Sequence, residues 1–419
     1  MTVKVTKCET CRACDGALED LIDFGEQLII SFGDKPSEKA PLVLTKCNSC
    51  HLVQLRDTVD PEFLFRHYYY KSGVNATMRD HLRGIVFDSI KRVNWNPDEV
   101  LYAIDIGCND GTLLSFYPDE WFEVGFEPSE ALAKEARKIS KSRLAEWATE
   151  RHVDDHVVTD FFSASKWREL HYDSKAKIIT AISMFYDLDD PNSFLQDVKK
   201  VLAPDGLFVI QQNYLPAMLE NNAVDNVVHE HLCYYSLYTL DALLVKNGLE
   251  IVDYSFNDLN GGSFRVYVKH SSNPQHADFP EEGKLMLHTL APYKAFRDRV
   301  AEIAYRLQTF IPMEKMEGRT TYIYGASTRG ATLLQYAGLD ERSIPYAVER
   351  NPDKVGTMYL GKIPVISEEQ AHKNPPFYYL ALPWHFRGEF VSREWEHITN
   401  SGAMIFPLPQ FRVVRGTET

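Results

Sequence analysis

Two pairs of cysteines near the N-terminus have the spacing of a metal site: Cys11 and Cys14, and Cys47 and Cys50. The thiolates of a Cys-x-x-Cys turn can face one ion, and two such turns complete a tetrahedral sulfur site that suits zinc. Because four cysteines leave no coordination position open, the predicted zinc ion is structural. Two disulfides are an alternative that a reducing cytosol disfavours, and Cys8 and His51 are spare candidate ligands.

The densest cluster of proton-transfer groups is His229-Glu230-His231, with Tyr234-Tyr235-Ser236 close behind it. A histidine can act as a general base near neutral pH, and an adjacent carboxylate can orient it. A zinc role is weakly supported, because helical zinc histidines usually lie four residues apart and no third ligand is evident. A purely structural cluster is the alternative reading.

A turn containing two glycines, Asp105-Ile-Gly107-Cys-Asn109-Asp-Gly111, joins an apolar strand to a helix. Such a turn lets a ligand approach the backbone closely and offers the unpaired N–H groups of a helix N-terminus. The spacing differs from the dinucleotide fingerprint G-x-G-x-x-G. An acid at the end of the strand suits a ligand that carries a cationic amine.

Three further strand ends follow in order. Glu127 ends the strand Phe122–Phe126 and is placed to accept hydrogen bonds from ribose hydroxyls, as in other nucleotide-binding sheets. Asp160 ends a possible third strand and is placed to approach an adenine edge, and Ser183 and Met184 follow the strand Ile178–Ile182.

This ordered series resembles the class I methyltransferase fold, which binds S-adenosylmethionine (SAM). The resemblance implies a set of cofactor-binding residues: Asp105, Gly107, Asn109, Gly111, Glu127, Asp160, Ser183 and Met184. Asn109 stands where such turns often have a glycine.

The elements that must position these groups are read from the apolar pattern. Short apolar runs alternate with helix-like segments between residues 99 and 269, which predicts βαβ units and a largely parallel sheet. Helical spacing over residues 283–310 predicts one or two connecting helices. A third unit begins with the strand and glycine turn Thr320–Gly330, which predicts another α/β fold.

Composition places the chain among folded proteins. Of its 419 residues, 44% are hydrophobic and 25% charged. The net charge of −14 opposes nonspecific binding of nucleic acid, so no nucleic-acid partner is expected. The chain has neither an apolar run of membrane-spanning length nor an apolar signal region in its first residues, so we expect a cytoplasmic protein without a membrane partner.

Nearly the whole chain resembles the sugar C-methyltransferases of deoxysugar biosynthesis, which methylate carbon 3 of a nucleotide-linked 4-keto hexose. The resemblance includes the cysteine pairs, the stretch Tyr68–His81, the Asp105 turn, the His229–Ser236 cluster and the segment Gly325–Gly330. It implies a zinc-binding domain at 1–66, a Rossmann-like SAM-dependent methyltransferase domain at 67–275 and a C-terminal Rossmann-like α/β domain at 276–419 that closes over the nucleotide-sugar.

The resemblance also implies site roles. Glu230, His231 and Tyr70 would face the sugar, with His231 as the base that generates an enolate. Tyr70, His229 and Asn213 are the candidate hydrogen-bond donors to the enolate oxygen, and the sequence does not choose among them. His229 is also a candidate substrate contact. Ser327 and Arg329, at a helix N-terminus, could hold a diphosphate, although a packing domain whose turn binds nothing is the alternative.

Val228 stands where members of this family often have a tyrosine, so a second hypothesis is an O- or N-methyltransferase acting on another small metabolite. A third is a noncatalytic module whose zinc domain engages nucleic acid or protein. A nucleic-acid-binding zinc domain is expected to have a basic face, whereas residues 1–66 carry slightly more acids than bases. The sequence does not distinguish a monomer from a dimer.

Overall fold

The structure is a computed structural model that describes residues 3–29, 38–66, 68, 70–96, 99–139, 156–170, 175–400 and 402–416. Within these residues, helices and strands fall into three consecutive units. None of the described helices combines the length and apolar character needed to cross a bilayer.

The first unit has the elements β1 Val5–Lys7, β2 Leu18–Leu28, β3 Lys39–Cys47, β4 Val53–Leu55, β5 Asp57–Val59 and α1 Pro61–Phe65. It is an antiparallel sheet in which β3 lies between β2 and β4, while β1 pairs with β5. Leu18 at the start of β2 pairs with Cys47 at the end of β3. This register brings the two Cys-x-x-Cys turns to the same end of the sheet.

The second unit is a seven-stranded sheet with helices on its faces. Its elements are α2 Ala76–Lys91, β6 Leu101–Ile106, β7 Trp121–Phe126, α3 Glu130–Ile139, β8 Val157–Val158, α4 Ala164–Glu169, β9 Ala176–Ile182, α5 Pro191–Val201, β10 Leu202–Asn213, α6 Leu215–Glu220, β11 Cys233–Tyr234, α7 Leu237–Lys246, β12 Leu249–Asn257 and β13 Ser263–His270.

The strand order in this sheet is β12-β13-β10-β9-β6-β7-β8, with β13 antiparallel to both neighbours and the other pairs parallel. Every residue of β6 is buried, as expected for a central parallel strand covered on both faces. The chain runs outward from β6 to β7 and, later, from β9 to β10 on the other side. A crevice therefore opens at the carboxyl ends of β6 and β9, where such sheets bind ligands.

The third unit repeats this plan with the strand order β16-β17-β15-β14-β18-β19-β20. Its elements are α8 Pro280–Gly283, α9 Ala291–Met316, β14 Thr321–Tyr324, α10 Thr328–Tyr336, β15 Ala347–Glu349, β16 Met358–Tyr359, β17 Ile363–Ser367, α11 Glu368–Lys373, β18 Tyr378–Ala381, α12 Arg387–Arg393, α13 Trp395–Asn400, β19 Ala403–Phe406 and β20 Arg412–Val414. The corresponding crevice lies beyond β14 and β18. The predicted α/β class is confirmed.

A strand exchange joins the first two units, which the sequence did not indicate. The two residues of β11 follow the His229–His231 cluster and pair antiparallel with β4, so they complete the order β11-β4-β3-β2. On the other side of the cluster, Thr332 of α10 donates a hydrogen bond of 2.6 Å to the carbonyl of Val227. All three units therefore contact the segment that carries the cluster.

Candidate active site

One cavity of about 1020 Å³ is lined by residues of all three units. It opens where the carboxyl ends of β6 and β9 face the glycine turn after β14. Its lining includes Asp105 near the end of β6 and Asn109 of the turn after it, Glu230 and His231 of the cluster, and Arg329 of the third unit.

Asp105 lines the cavity and is almost fully buried. The Thr180 hydroxyl on the neighbouring strand donates a hydrogen bond of 2.6 Å to Asp105 Oδ1. Burial raises the pKa of Asp105 to about 7, against the lowering effect of that hydrogen bond. Gly107 follows at φ 71°, in the left-handed region that favours glycine.

Asn109 also has a left-handed backbone, at φ 54°, which asparagine tolerates better than most residues. Its backbone N–H donates to Glu127 Oε2 at 2.9 Å. Its side-chain amide accepts from the Ser72 N–H at 3.0 Å and donates to the Tyr70 carbonyl at 2.9 Å. The asparagine in place of a glycine therefore fixes the segment that carries Tyr70 over the turn.

Glu127 is bound by backbone donors on both oxygens, since the Ser129 N–H donates to Oε1 at 2.8 Å. Burial raises the pKa of Glu127 to about 7. Ser183 and Met184 line the cavity beside these acids, and the Ser183 backbone is again left-handed, at φ 55°. These residues form a polar cleft at the switch point of the sheet.

His231 lines the cavity, and one of its ring nitrogens is occupied by a hydrogen bond. Its Nδ1 is 2.8 Å from the carbonyl of Asn226, which assigns the proton to Nδ1 and leaves Nε2 as the basic nitrogen. Burial, reinforced by the positive charge of Arg329, lowers the pKa of His231 to about 3. The imidazole is therefore neutral near pH 7, as a general base must be.

Two carboxyl groups share this part of the cavity. Burial raises the pKa of Glu230 to about 7. Burial also raises the pKa of Asp187 well above its ordinary value, and the charge of Glu230 adds to the effect. Both side chains line the cavity with His231. With raised pKa values, these two carboxyl groups can carry a proton at neutral pH and donate a hydrogen bond, or lose it and accept one.

The side of the cavity formed by the third unit combines a glycine turn with charged groups. Gly325 is left-handed at φ 88°, and a Cβ there would meet Pro383 at 2.9 Å. The Glu349 carboxylate at the end of β15 accepts from the N–H groups of Arg350 and Asn351, at 2.8 and 3.2 Å. Lys354 Nζ is 3.4 Å from Glu349 Oε2.

The four cysteine thiols of the first unit converge. Their sulfur atoms lie within 4.8 Å of one another, and two of the distances, Cys11 to Cys50 and Cys14 to Cys47, are 3.5 Å. Tetrahedral zinc–thiolate bonds of about 2.3 Å place sulfurs about 3.8 Å apart, so the set fits zinc. A Cβ on Gly16 would lie 2.9 Å from the Cys47 sulfur, so the turn requires glycine.

Three family models match the chain: a zinc binding domain at 11–65, a methyltransferase domain at 78–254 and a C-methyltransferase C-terminal domain at 258–409. The C-methyltransferase NovU of Streptomyces niveus is 29% identical over 431 residues, covering 99% of each chain. The chain is a SAM-dependent methyltransferase. These matches support the sugar C-methyltransferase family predicted from the sequence, confirm SAM and zinc as its cofactors, and set aside the noncatalytic alternative.

Solved structures resemble parts of this chain. A SAM-dependent methyltransferase from Clostridium acetobutylicum is 14% identical, with a TM-score of 0.34, over 48% of this chain and 94% of that chain. The mitomycin 7-O-methyltransferase MmcR is 17% identical, with a TM-score of 0.32, over 47% of this chain and 55% of that chain. The matched part of the chain thus spans about half the length of MmcR.

The structure brings most of the predicted site residues into the one cavity. Those that line it are Tyr70, Asp105, Gly107, Asn109, Glu127, Asp160, Ser183, Met184, Glu230, His231, Ser327 and Arg329. Asp160 is at the same time ion-paired with Lys166 and, at 2.9 Å, with Arg66. Its carboxylate therefore joins the first unit to the second.

Two predicted residues lie elsewhere. A Cβ on Gly111 would be 2.7 Å from the Ala136 Cα, so this glycine permits close packing of the turn on α3 and does not line the cavity. His229 points to the first unit, where its Nε2 is 3.2 Å from the Ala40 carbonyl. Burial lowers the pKa of His229 to about 4. It joins two units and lies outside the cavity that holds His231.

The sequence indicated no role for Tyr186 and Asp187, which line the cavity, or for Asp225, which pairs with a cavity residue. The first two follow the strand Ala176–Ile182, and their position after a central strand was the available signal. Asp225 is 1% exposed and pairs with Arg329 at 2.7 Å, a contact between distant parts of the chain that no local pattern indicates.

This buried pair gives a stability prediction. Replacing Arg329 by methionine leaves the Asp225 carboxylate with the Trp384 Nε1–H, at 3.2 Å, as its remaining side-chain donor among the described residues. Unpairing a buried charge costs roughly 3–5 kcal/mol. We expect that loss in the free energy of unfolding, measured by denaturant titration. The double variant Arg329→Met, Asp225→Leu is expected to recover much of it, and an unchanged stability of Arg329→Met would contradict the pairing.

Proposed function

We propose that this C-methyltransferase methylates carbon 3 of a nucleotide-linked 4-keto deoxysugar, with His231 as the base. The observation that carries the proposal is the position of His231: a neutral imidazole with Nε2 free of the Asn226 contact, in the same cavity as the SAM-site acids. A carbon next to a ketone is acidic enough to lose a proton to such a base once the oxygen is stabilised. SAM supplies the methyl group on a positively charged sulfur.

The proposed roles divide the cavity along its length. Asp105 and Glu127 would bind the amine and ribose of SAM, and Glu230 and Tyr70 would position the sugar beside His231. The third unit would hold the nucleotide, with its glycine turn at Ser327 near the diphosphate. In this proposal the domains have the predicted boundaries 1–66, 67–275 and 276–419, and the partner is a small molecule and no nucleic acid.

A substrate panel tests the proposal. Purified, zinc-loaded protein is incubated with methyl-labelled SAM and 4-keto sugars linked to different nucleotides, and the products are separated from unreacted sugar. Transfer of label to at least one keto sugar, and no transfer to the corresponding 4-hydroxy sugar, is expected because only the ketone acidifies the neighbouring carbon. Absence of transfer to every keto sugar would discard the substrate class.

The raised pKa values of Asp105 and Glu127 predict pH-dependent SAM binding. Both carboxyls have a pKa of about 7 without ligand, so below about pH 7 they hold protons that are released when Asp105 binds the cationic amine and Glu127 accepts from the ribose hydroxyls. The affinity for SAM is therefore expected to rise with pH, by at most about tenfold per unit for each group, with proton release on binding. The stability of the ligand-free protein changes in the opposite sense to the SAM affinity. Its free energy of unfolding falls as pH rises from about 4 through 7, because the two buried carboxyls ionise less readily in the folded state than in the unfolded state.

Calorimetry in two buffers with different ionisation enthalpies counts the protons released. Asp105→Asn should bind SAM more weakly and with less proton release than the natural protein. Affinity and proton count that are independent of pH in the natural protein would contradict the assignment of these acids.

A further inference from the structure

Tyr186 packs against His231, and the proposed mechanism gives it no role. It lies in the single turn Phe185–Asp187 directly after β9, and its side chain is 7% exposed. Its ring centroid is 4.3 Å from that of His231, with an angle of 55° between the planes. The phenol is thus held against the base by ring contact, on the wall that also carries the SAM-site residues Ser183 and Met184.

An enolate needs a hydrogen-bond donor that is fixed in place and shielded from water. Such donors act most strongly where the dielectric is low and where they need no reorganisation during the reaction. Tyr70, Tyr186 and Asn213 line the cavity with His231 and carry a hydrogen-bond donor. Their surroundings differ.

Tyr70 is 46% exposed and lies on the segment that Asn109 fixes over the cofactor turn. Asn213 already directs its amide Nδ2 to the Asn226 side-chain oxygen, at 2.8 Å. Tyr186, in contrast, is buried beside the base. Val228, which lines the same cavity, is apolar and offers no donor.

The electrostatic surroundings keep the Tyr186 hydroxyl protonated. Burial raises the pKa of Tyr186 well above its ordinary value, with a further contribution from the charge of Asp187, while Arg329 acts in the opposite sense. A phenol in this state donates a hydrogen bond without giving up its proton.

We propose that Tyr186 is a catalytic residue whose hydroxyl donates a hydrogen bond to the enolate oxygen, an inference that rests on the proposed keto-sugar function. His231 Nε2 takes the hydrogen from the carbon beside the ketone, and the electron pair of that C–H bond forms the enolate C=C bond. The negative charge collects on the oxygen that Tyr186 contacts. The carbon then bonds to the methyl group, the methyl–sulfur bond breaks with its electron pair left on sulfur, and the ketone forms again.

Hydrogen exchange separates this role from positioning of the methyl donor. With S-adenosylhomocysteine in place of SAM, the enolate forms but cannot be methylated, so the hydrogen on the substrate carbon exchanges with deuterium from D₂O. Tyr186→Phe keeps the ring on His231 and removes only the donor. We expect both exchange and methyl transfer to fall by about 10²- to 10³-fold, the usual effect of removing one such donor, with SAM affinity within about twofold.

The matched control is Tyr379→Phe, which removes another buried phenol, one without a hydrogen-bond partner among the described residues and outside the cavity. It is expected to leave exchange unchanged. If Tyr186→Phe fails to fold, fluorotyrosine at position 186 keeps the shape and makes the phenol more acidic, and the exchange rate should change with that acidity.

The outcomes are distinguishable. Natural protein that methylates and exchanges a keto sugar, together with a Tyr186→Phe variant that exchanges at the natural rate, overturns the role of Tyr186 and leaves the proposed function intact. Exchange at the natural rate with slower methyl transfer also overturns it, because the donor would then act after enolate formation. Natural protein that neither methylates nor exchanges any keto sugar removes the proposed function and this inference together.

Discussion

Replacing His231 by glutamine is expected to lower turnover by about 10²- to 10⁴-fold, the usual contribution of a general base. Glutamine can still donate to the Asn226 carbonyl that holds Nδ1 at 2.8 Å, but it cannot accept a proton from carbon. Because the acids of the cofactor side are untouched, the dissociation constant for SAM should stay within about twofold. Steady-state kinetics and calorimetry on the same preparation measure the two quantities.

His276→Gln provides the matched control, since this histidine is exposed and pairs with Asp241 away from the cavity. Its turnover should equal that of the natural protein. A His231→Gln variant with natural turnover would remove His231 as the base, and a variant that loses SAM binding in parallel would show that the change is structural.

Removal of zinc is expected to have the second large effect. A structural zinc site contributes about 10–16 kcal/mol of binding free energy in zinc-finger peptides, which matches or exceeds the 5–15 kcal/mol that stabilises a typical domain. The first unit should therefore unfold without the ion. Turnover is expected to disappear, because β11 and the cluster before it are held by pairing with β4.

The cysteine turn contacts the second unit directly, so the loss of zinc is expected to affect one part of the cavity in particular. Between Cys11 and Cys14, the buried Arg12 donates to Asp189 at 3.0 Å and to the Thr58 hydroxyl at 2.6 Å. Asp189 follows the turn that carries Tyr186 and, like Thr58, lines the cavity. Loss of zinc should thus disturb the acceptor side more than the cofactor side.

Chelation followed by calorimetry, circular dichroism and the methyl-transfer assay tests this, with added zinc as the restoring control. Weakened but measurable SAM binding, a loss of β-structure and recovery of turnover with zinc are expected. Full activity after the zinc content has been shown to be zero would contradict a structural site.

The sequence predicted the elements that are set by local patterns. The fully buried β6 was visible as the apolar strand before the Asp105 turn. The cysteine turns were visible from spacing alone. These features depend on residues close together in the chain.

Features that depend on tertiary contacts were not predictable in the same way. Gly111 belongs to a glycine turn, but the contact that requires glycine is with Ala136. His229 and His231 are two residues apart, and only the pairing of β11 with β4 decides which of them faces the cavity. The contact of Tyr186 with His231 joins residues 45 positions apart, which no spacing rule indicates.

The position of the transferred methyl group tests the central claim most directly. The natural protein is incubated with a 4-keto nucleotide sugar and SAM carrying a ¹³C-labelled methyl group, and the product is examined by NMR. The account predicts a methyl carbon coupled directly to the sugar carbon beside the ketone. A methyl carbon attached to oxygen or nitrogen would contradict it and support the alternative class of methyltransferase.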